Sequence, residues 1–280
     1  MNYLEALNYG NSLLKKNNIN NYSLDSELLL ASALNSTREK LLLSLRKKIK
    51  KRICNKYKKF IFRRKNNEPI AYILNKKEFW KHKFFINKHV LIPRPETEIL
   101  VEEMLNLIRL NSSKSILDVG TGSGCIIISI IKERPKCKGT AVDVSKKALK
   151  VAKINAKMHH LQNKIDFINI DIDKFKHNKY DFIVSNPPYI KKFDLKRLEK
   201  DIRFYEPKIA LEAGVNGLSE INKLIIKSKI LLKNKGKLIF EIGSKQKEET
   251  VLLLNKNGFY INKICKDINS HPRVIISTKL

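Results

Sequence analysis

Apolar residues recur at intervals of three and four over the first part of the chain, at Leu4, Leu7, Leu13 and Leu14 and again at Leu24, Leu28, Leu29 and Leu34. That period puts one apolar stripe on each of several short helices. Ser23 and Ser36 stand where N-caps are expected. A third apolar and basic stretch runs from Thr37 to Phe62, and glycine and proline are nearly absent before Pro69. Residues 1–78 therefore read as a small all-helical domain with no hairpin of its own. From Glu78 to Pro93 the pattern changes to rough alternation of aromatic and β-branched residues: Phe79, Trp80, Phe84, Phe85, Ile86, Val90, Ile92. A β-hairpin linker over 79–95 is predicted, ended by Pro93 and Pro95. Glu96 to Leu110 resumes a helical period.

Beyond Asn111 short apolar runs alternate with amphipathic helices. The runs are Ser115 to Val119, Gly139 to Val142, Ile165 to Ile168, Tyr180 to Val184, Lys237 to Ile242, Tyr260 to Ile264 and Val274 to Ser277. This rhythm predicts an α/β domain over 96–280, built on a mostly parallel sheet covered by helices on both faces. Ligands of such sheets bind beyond the carboxyl ends of the strands, near the point where strand order reverses.

Composition changes this picture little. At 280 residues, two domains with a sizeable core are expected. No apolar run reaches the roughly 18 residues of a spanning helix, and the start of the chain lacks a secretory pattern, so a cytoplasmic protein is expected. Cys54, Cys125, Cys137 and Cys265 form no C-x-x-C pair, which predicts reduced, mostly buried thiols and neither a metal knuckle nor a disulfide framework. The formal net charge of +30 admits two readings. It is the mark of a partner rich in phosphate, or, because the excess is scattered lysine beside abundant Asn and Ile, the residue usage of an AT-rich genome.

The candidate chemistry sits at strand ends. Asp118-Val119-Gly120-Thr121-Gly122-Ser123-Gly124 follows the first strand of the α/β domain and opens a helix, where glycines let backbone approach a ligand closely. Asp143, about twenty residues on, ends the second strand, where a carboxylate can accept from both hydroxyls of a ribose. Asp171 closes the third strand region and can face an adenine; the plainer reading of both acids is a cap on the following helix. The loop lacks the G-x-G-x-x-G spacing of a pyrophosphate cradle, and no Gly-Lys-Ser/Thr is present. S-adenosylmethionine, which carries no phosphate, is the expected ligand.

The run Asp181-Phe182-Ile183-Val184-Ser185 reads as a buried strand leading into Asn186-Pro187-Pro188-Tyr189. Two prolines cannot continue a central strand, so the chain must leave the sheet in a stiff extended turn. An amide or exocyclic amino nitrogen is a poor nucleophile because its lone pair is delocalised. The Asn186 side-chain oxygen and the Pro187 carbonyl can each accept a hydrogen bond from one NH₂ and favour the pyramidal nitrogen of the transition state. Tyr189 can stack on the planar acceptor. A Pro-Pro turn with Asn as local cap and Tyr as packing residue is the bland alternative.

These residues resemble those of the amino-methyltransferases, which include adenine DNA enzymes and the PrmC/HemK-type enzymes that methylate glutamine in release factors. The latter resemblance is carried by Glu68-Pro69-Ile70-Ala71-Tyr72-Ile73-Leu74, Glu78-Phe79 and Val90-Leu91-Ile92-Pro93-Arg94-Pro95-Glu96-Thr97-Glu98, then by Tyr205-Glu206-Pro207, Gly217-Leu218 and Glu241-Ile242-Gly243 with Gln246. It implies a helical domain that binds the release factor, a hairpin, and a seven-stranded Rossmann-like class I methyltransferase domain with its last strand antiparallel. The implied reaction is methyl transfer to the glutamine side chain of the Gly-Gly-Gln loop in class 1 peptide-chain release factors. Gly120, Thr121, Gly122, Ser123, Gly124, Asp143, Asp171, Ile172 and Asn186 are then expected at the cofactor. Asn186, Pro187, Pro188 and Tyr189 are expected at the substrate, with Asn186, Pro187 and Tyr189 as the catalytic set and no metal. Pro93, Arg94, Glu96 and Thr97 shape the rim of the cofactor pocket or start a helix. A monomer that needs no direct nucleic-acid contact is expected, with an adenine amino-methyltransferase as the alternative. Asn75 and the run Asn269-Ser270-His271 depart from the family, which usually has glycine there, and Ile172 stands where a Trp is common.

Overall fold

The computed structural model describes residues 1–176 and 179–280. They divide into two compact units, Met1–Lys76 with Glu199–Tyr205, and Lys77–Leu198 with Glu206–Leu280. The first unit closes at Lys76 rather than at 78 and takes in a short excursion from the second half of the chain.

The first unit is helical: α1 (Tyr3–Lys16), α2 (Tyr22–Ala33), α3 (Arg38–Leu42), α4 (Lys51–Lys65) and α5 (Ile70–Leu74). Leu7, Leu14, Leu29 and Leu30 meet Tyr57 and Ile61 in its core, while Leu4 and Leu24 stay exposed. The stripes are thus narrower than the spacing suggests. Neither expected serine caps a helix. Asn2 caps α1 in a reciprocal box, its Oδ1 accepting from Glu5 N at 2.8 Å while Glu5 Oε2 accepts from Asn2 N at 3.1 Å. Ser23 lies inside the first turn of α2. Ser36 is consumed in ending α2: Asn35 turns left-handed at φ +51°, and Ser36 N donates to Ala31 O at 2.9 Å, a Schellman closure that passes the capping role to Thr37.

At Gly10, α1 comes against α2 and α4. A Cβ there would lie 2.0 Å from Tyr57 Oη and 2.6 Å from Ser26 Oγ, two atoms already hydrogen-bonded to each other at 2.6 Å. In an open helix Gly→Ala gains about 0.5–1 kcal/mol. Here overpacking at roughly 1–3 kcal/mol outweighs that gain. Gly10→Ala is therefore expected to lower the urea midpoint, and an unchanged or raised midpoint would contradict the packing described.

A short hairpin follows, β1 (Lys76–Phe79) and β2 (His82–Phe85). It is earlier and shorter than the predicted 79–95. Ile86, Val90 and Ile92 are buried as loop residues outside either strand, so their alternation reflects burial. Buried Asn155 fastens this backbone to the glycine loop: its Oδ1 accepts from Phe85 N at 2.7 Å, and its Nδ2 donates to Phe85 O at 3.0 Å and Ser123 O at 2.8 Å.

The remaining elements are α6 (Glu98–Leu107), β3 (Ser115–Val119), α7 (Cys125–Glu133), β4 (Lys138–Asp143), α8 (Lys146–Met158), β5 (Ile165–Asn169), β6 (Tyr180–Ser185), α9 (Lys200–Tyr205), α10 (Ser219–Leu231), β7 (Leu232–Glu241), α11 (Lys247–Lys256), β8 (Phe259–Lys266) and β9 (Pro272–Lys279). A 3₁₀ turn at Pro95–Thr97 precedes α6, which stops at Leu107 instead of Leu110. Seven strands form one sheet in the order β5-β4-β3-β6-β7-β9-β8. All neighbours are parallel except β9, which runs antiparallel to β7 and β8. The Rossmann-like class I arrangement expected of the α/β domain is the one found. Strand order reverses between β3 and β6, and Val119 pairs with both Val142 and Ser185, which brings the ends of three strands level. The crevice opens there.

Two of the departures from the family are loops in which a glycine conformation is held by another residue. Asn75 ends α5 at φ +53° and Ser270 sits at φ +63° in the β8–β9 turn. Asn tolerates this region through local hydrogen bonding, whereas Ser270 carries modest strain. Cys125, Cys137 and Cys265 are buried, Cys54 is half-buried, and none is paired. Among the described residues no helix is long and apolar enough to cross a membrane.

Candidate active site

A cavity of about 580 Å³ opens at the reversal point. Its walls include Gly120, Thr121, Gly122, Ser123, Asp143, Asp171 and Ile172 on one side and Ser185, Asn186, Pro187 and Pro188 on the other, with Pro93 and Thr97 at the same opening. Gly124, where a Cβ would meet Ile128 Cδ1 at 2.9 Å, packs the loop onto α7 and is not part of the wall. The structure thus brings together residues spread over almost a hundred positions.

The glycine loop is shaped from within. Gly120, Gly122 and Gly124 have φ of +69°, +55° and +79°. Val142 O accepts from Gly120 N and Thr121 N at 2.9 and 3.1 Å, Gly124 N donates to Thr121 O at 2.8 Å, and Gly122 N donates to Asp143 Oδ2 at 2.9 Å. Four of the five N–H groups of the loop are therefore committed, which leaves no anion nest for a pyrophosphate. A Cβ at Gly120 would find nothing within 4 Å, so the backbone there faces open space. Asp143 Oδ1 accepts from Ser145 N at 2.8 Å, and each carboxylate oxygen keeps a lone pair for a ligand in the cavity. Burial raises its pKa, against the two N–H donors. These features suit a phosphate-free adenosine ligand: a backbone open to close approach, an acid for ribose hydroxyls and the apolar wall of Ile172.

Asp118 lies fully buried behind the loop. Thr121 Oγ1 donates to its Oδ2 at 2.7 Å, its Oδ1 has no hydrogen-bond partner among the described residues, and burial pushes the carboxyl up to about 7. Asp171 uses Oδ1 to accept from Asp173 N at 2.9 Å, so it caps the 3₁₀ turn Ile172–Lys174 while also lining the cavity. Burial pushes the Cys125 thiol up to about 12, which keeps it protonated and inert as a nucleophile.

On the opposite wall, Ser185 Oγ donates to Val119 O at 2.7 Å and stitches β6 to β3 at their ends. The two prolines then leave the sheet. Asn186 Nδ2 donates to Thr97 Oγ1 at 3.0 Å, and among the described residues its Oδ1 accepts nothing. Tyr189 is not part of the cavity wall. Its phenol donates to Glu241 Oε1 at 3.2 Å, its ring packs against Gly243, and its carbonyl accepts from Gln246 Nε2 at 3.2 Å. Gln246 also donates to Gly217 O at 2.8 Å and accepts from Gly243 N at 2.9 Å, so the turn is held on three sides. Glu241 is 1 % exposed and takes a second hydrogen bond, from Thr97 Oγ1 at 2.6 Å. Burial raises its pKa, while the Thr97 and Tyr189 hydroxyls and Arg273 oppose the rise. Arg94 pairs with buried Glu206 at 2.5 Å and Ile92 N donates to the other oxygen at 3.3 Å, fixing the proline-rich rim.

Sequence reasoning singled out Thr97 only as a rim residue and gave Glu241, Gln246 and Glu206 no role. The available signal was an acid at the end of an apolar run, Lys237 to Ile242, in a strand destined for the sheet centre.

Residues 5–74 match the family model described as the PrmC N-terminal domain, and residues 95–201 match that of the methyltransferase small domain. A release factor glutamine methyltransferase of Clostridium acetobutylicum is 36 % identical over 282 residues, covering 100 % of this chain and 99 % of that protein. A bifunctional methyltransferase of Rickettsia typhi is 38 % identical over 290 residues, covering 97 % of this chain and 56 % of the relative, so the chain spans little more than half of that protein's length. Among solved structures, a ribosomal protein L11 methylase of Lactobacillus delbrueckii subsp. bulgaricus superposes with a TM-score of 0.53 at 19 % identity, over 73 % of this chain and 90 % of that one. That likeness concerns the fold.

Proposed function

This chain belongs to the PrmC/HemK-type release factor glutamine methyltransferases, and from that premise we propose that it transfers a methyl group from S-adenosylmethionine to the side-chain amide nitrogen of the glutamine in the Gly-Gly-Gln loop of class 1 release factors. One observation supports the acceptor assignment most directly: among the described residues the Asn186 side-chain oxygen has no partner, and Asn186 lines the cavity that the glycine loop and Asp143 also line.

Bound in that cavity, the cofactor would supply an electrophilic sulfonium methyl. Asp143 would hold its ribose hydroxyls, Gly120 to Ser123 would lie along its backbone-facing edge, and Asp171 with Ile172 would border its adenine. Asn186 Oδ1 and the Pro187 carbonyl would accept the two amide hydrogens of the substrate glutamine, drawing the nitrogen lone pair out of conjugation toward the methyl; the N–C bond formed would replace the donor's S–C bond, and one of the two N–H protons would be lost from the nitrogen. The two prolines hold these acceptors without a flexible hinge, so little reorganisation accompanies the step. Tyr189 stiffens the same turn through Glu241 and Gln246.

The test is incubation of the protein with isotopically labelled S-adenosylmethionine and either an intact class 1 release factor or duplex DNA, followed by mass spectrometry. Label on the Gly-Gly-Gln glutamine is the expected result. Label on adenine, or an unlabelled release factor, would reject the assignment.

A further inference from the structure

A carboxamide is nearly symmetric in shape, yet only its oxygen can accept from an amide N–H. Methyl transfer as proposed above needs Asn186 turned with Oδ1 toward the cavity. Its neighbours decide that orientation. The Thr97 hydroxyl has a single hydrogen, and Glu241 Oε2 lies 2.6 Å away, within the range of a charge-assisted O–H···O⁻ bond. Once that hydrogen is committed, Thr97 Oγ1 can only accept. The group it faces, at 3.0 Å, is the Asn186 amide, which must therefore present its nitrogen. Glu241 cannot turn away. It ends β7 in register with Val274 of β9, is 1 % exposed, and has its second oxygen held by the Tyr189 phenol at 3.2 Å.

We infer that Thr97 and Glu241 are positioning residues for methyl transfer: an ionised Glu241, acting through the Thr97 hydroxyl, locks the Asn186 carboxamide with its oxygen toward the acceptor nitrogen. This rests on the reading of Asn186 as the group that holds the acceptor amide, and it extends that reading to residues 97 and 241, which act through the Asn186 side chain.

The lock has a protonation state. Glu241 faces the Thr97 hydroxyl from the turn before α6, the Tyr189 phenol from the turn after β6, the Arg273 guanidinium from β9, and the Glu96 carboxyl, which opposes its ionisation. A protonated Glu241 could donate to Thr97 Oγ1. The Thr97 hydrogen would then be free to bond Asn186 Oδ1, and the carboxamide would turn its NH₂ to the cavity, where it repels the amide hydrogens of the substrate. Turnover should therefore fall as pH drops through the Glu241 pKa, which burial places above that of an ordinary glutamate.

Thr97→Val, Thr97→Ser and Glu241→Gln would be compared with the unaltered protein for kcat and KM with intact release factor, donor Kd by calorimetry, and thermal midpoint. Thr97→Val and Glu241→Gln are expected to lower kcat about a hundredfold, the order seen for small misplacements of reacting groups, with donor Kd and release-factor KM little changed. Thr97→Ser, which keeps the hydroxyl, should restore most of kcat. The acid limb of the kcat profile should be absent in Glu241→Gln. Unchanged kcat in Thr97→Val overturns the lock, and so does Thr97→Ser falling as far as Thr97→Val, since that would implicate bulk rather than the hydroxyl. Should Glu241→Gln fail to fold, the Thr97 pair decides alone. Asn186→Ala measured alongside separates the two levels: if it keeps turnover, the acceptor reading fails, whereas if it loses turnover while Thr97→Val does not, only the lock fails.

Discussion

Asn186→Ala keeps its affinity for S-adenosylmethionine and loses methyl transfer by roughly a thousandfold, the upper range for removal of one preorganised polar group at a reacting centre. The two halves of this expectation have different structural origins. On the cofactor side, Asp143, Gly120 and Ile172 line the cavity from the end of β4, the loop after β3 and the segment after β5, and no hydrogen bond joins any of them to Asn186 among the described residues. Truncation removes the only side-chain acceptor proposed for the glutamine NH₂ and leaves the backbone of the Asn-Pro-Pro-Tyr turn held by Gln246 and by the prolines. Calorimetry with the donor and single-turnover methylation of a release factor measure the two halves separately. A variant that binds donor and still turns over at a near-normal rate would show that Asn186 does not hold the acceptor.

Asp143→Ala shows the reverse pattern, with donor affinity falling at least a hundredfold. A hydrogen bond to a charged group contributes about 1.5–3 kcal/mol, and two ribose hydroxyls are at stake, while 1.4 kcal/mol already corresponds to tenfold. The loop also loses the acceptor that organises it, since Gly122 N and Ser145 N both donate to this carboxylate. The effect should therefore appear in donor Kd first and in kcat at saturating donor much less. Equal Kd for variant and unaltered protein would mean that Asp143 serves only the loop and the start of α8.

Most of the fold was legible because its physics is local or periodic. Every apolar run read as a strand in the α/β domain is a strand of the sheet, and the signal is clearest at its centre, where β3 and β6 are parallel strands buried on both faces and so apolar almost throughout. The hairpin was misplaced for a reason of the same kind: Ile86, Val90 and Ile92 alternate because they are buried, and alternation reports burial whether or not a partner strand exists. The misassigned caps show another limit. Ser36 and Thr37 are equally good candidates by type, and the left-handed turn at Asn35 that ends α2 determined which of them caps α3.

The site divides along similar lines. Glycines in a left-handed loop, an acid at the next strand end and a double proline after a buried strand are each visible as residue types at a spacing, because each reflects the stereochemistry of its own few residues. From these the sequence determined the fold class and the crevice, and it picked out most of the glycine-loop, Asp143, Asp171 and Asn-Pro-Pro residues that line the cavity, though not the placement of Gly124 and Tyr189 outside its wall. Tertiary structure alone decided that Asp171 caps a turn while lining the cavity, that Tyr189 faces Glu241 and not the cavity, and that Thr97 stands between Glu241 and Asn186. The physical reason is that positions 97, 186, 189 and 241 meet only once strand register has brought the ends of β6 and β7 level, and the direction of a hydrogen bond between them depends on which donor is already committed elsewhere.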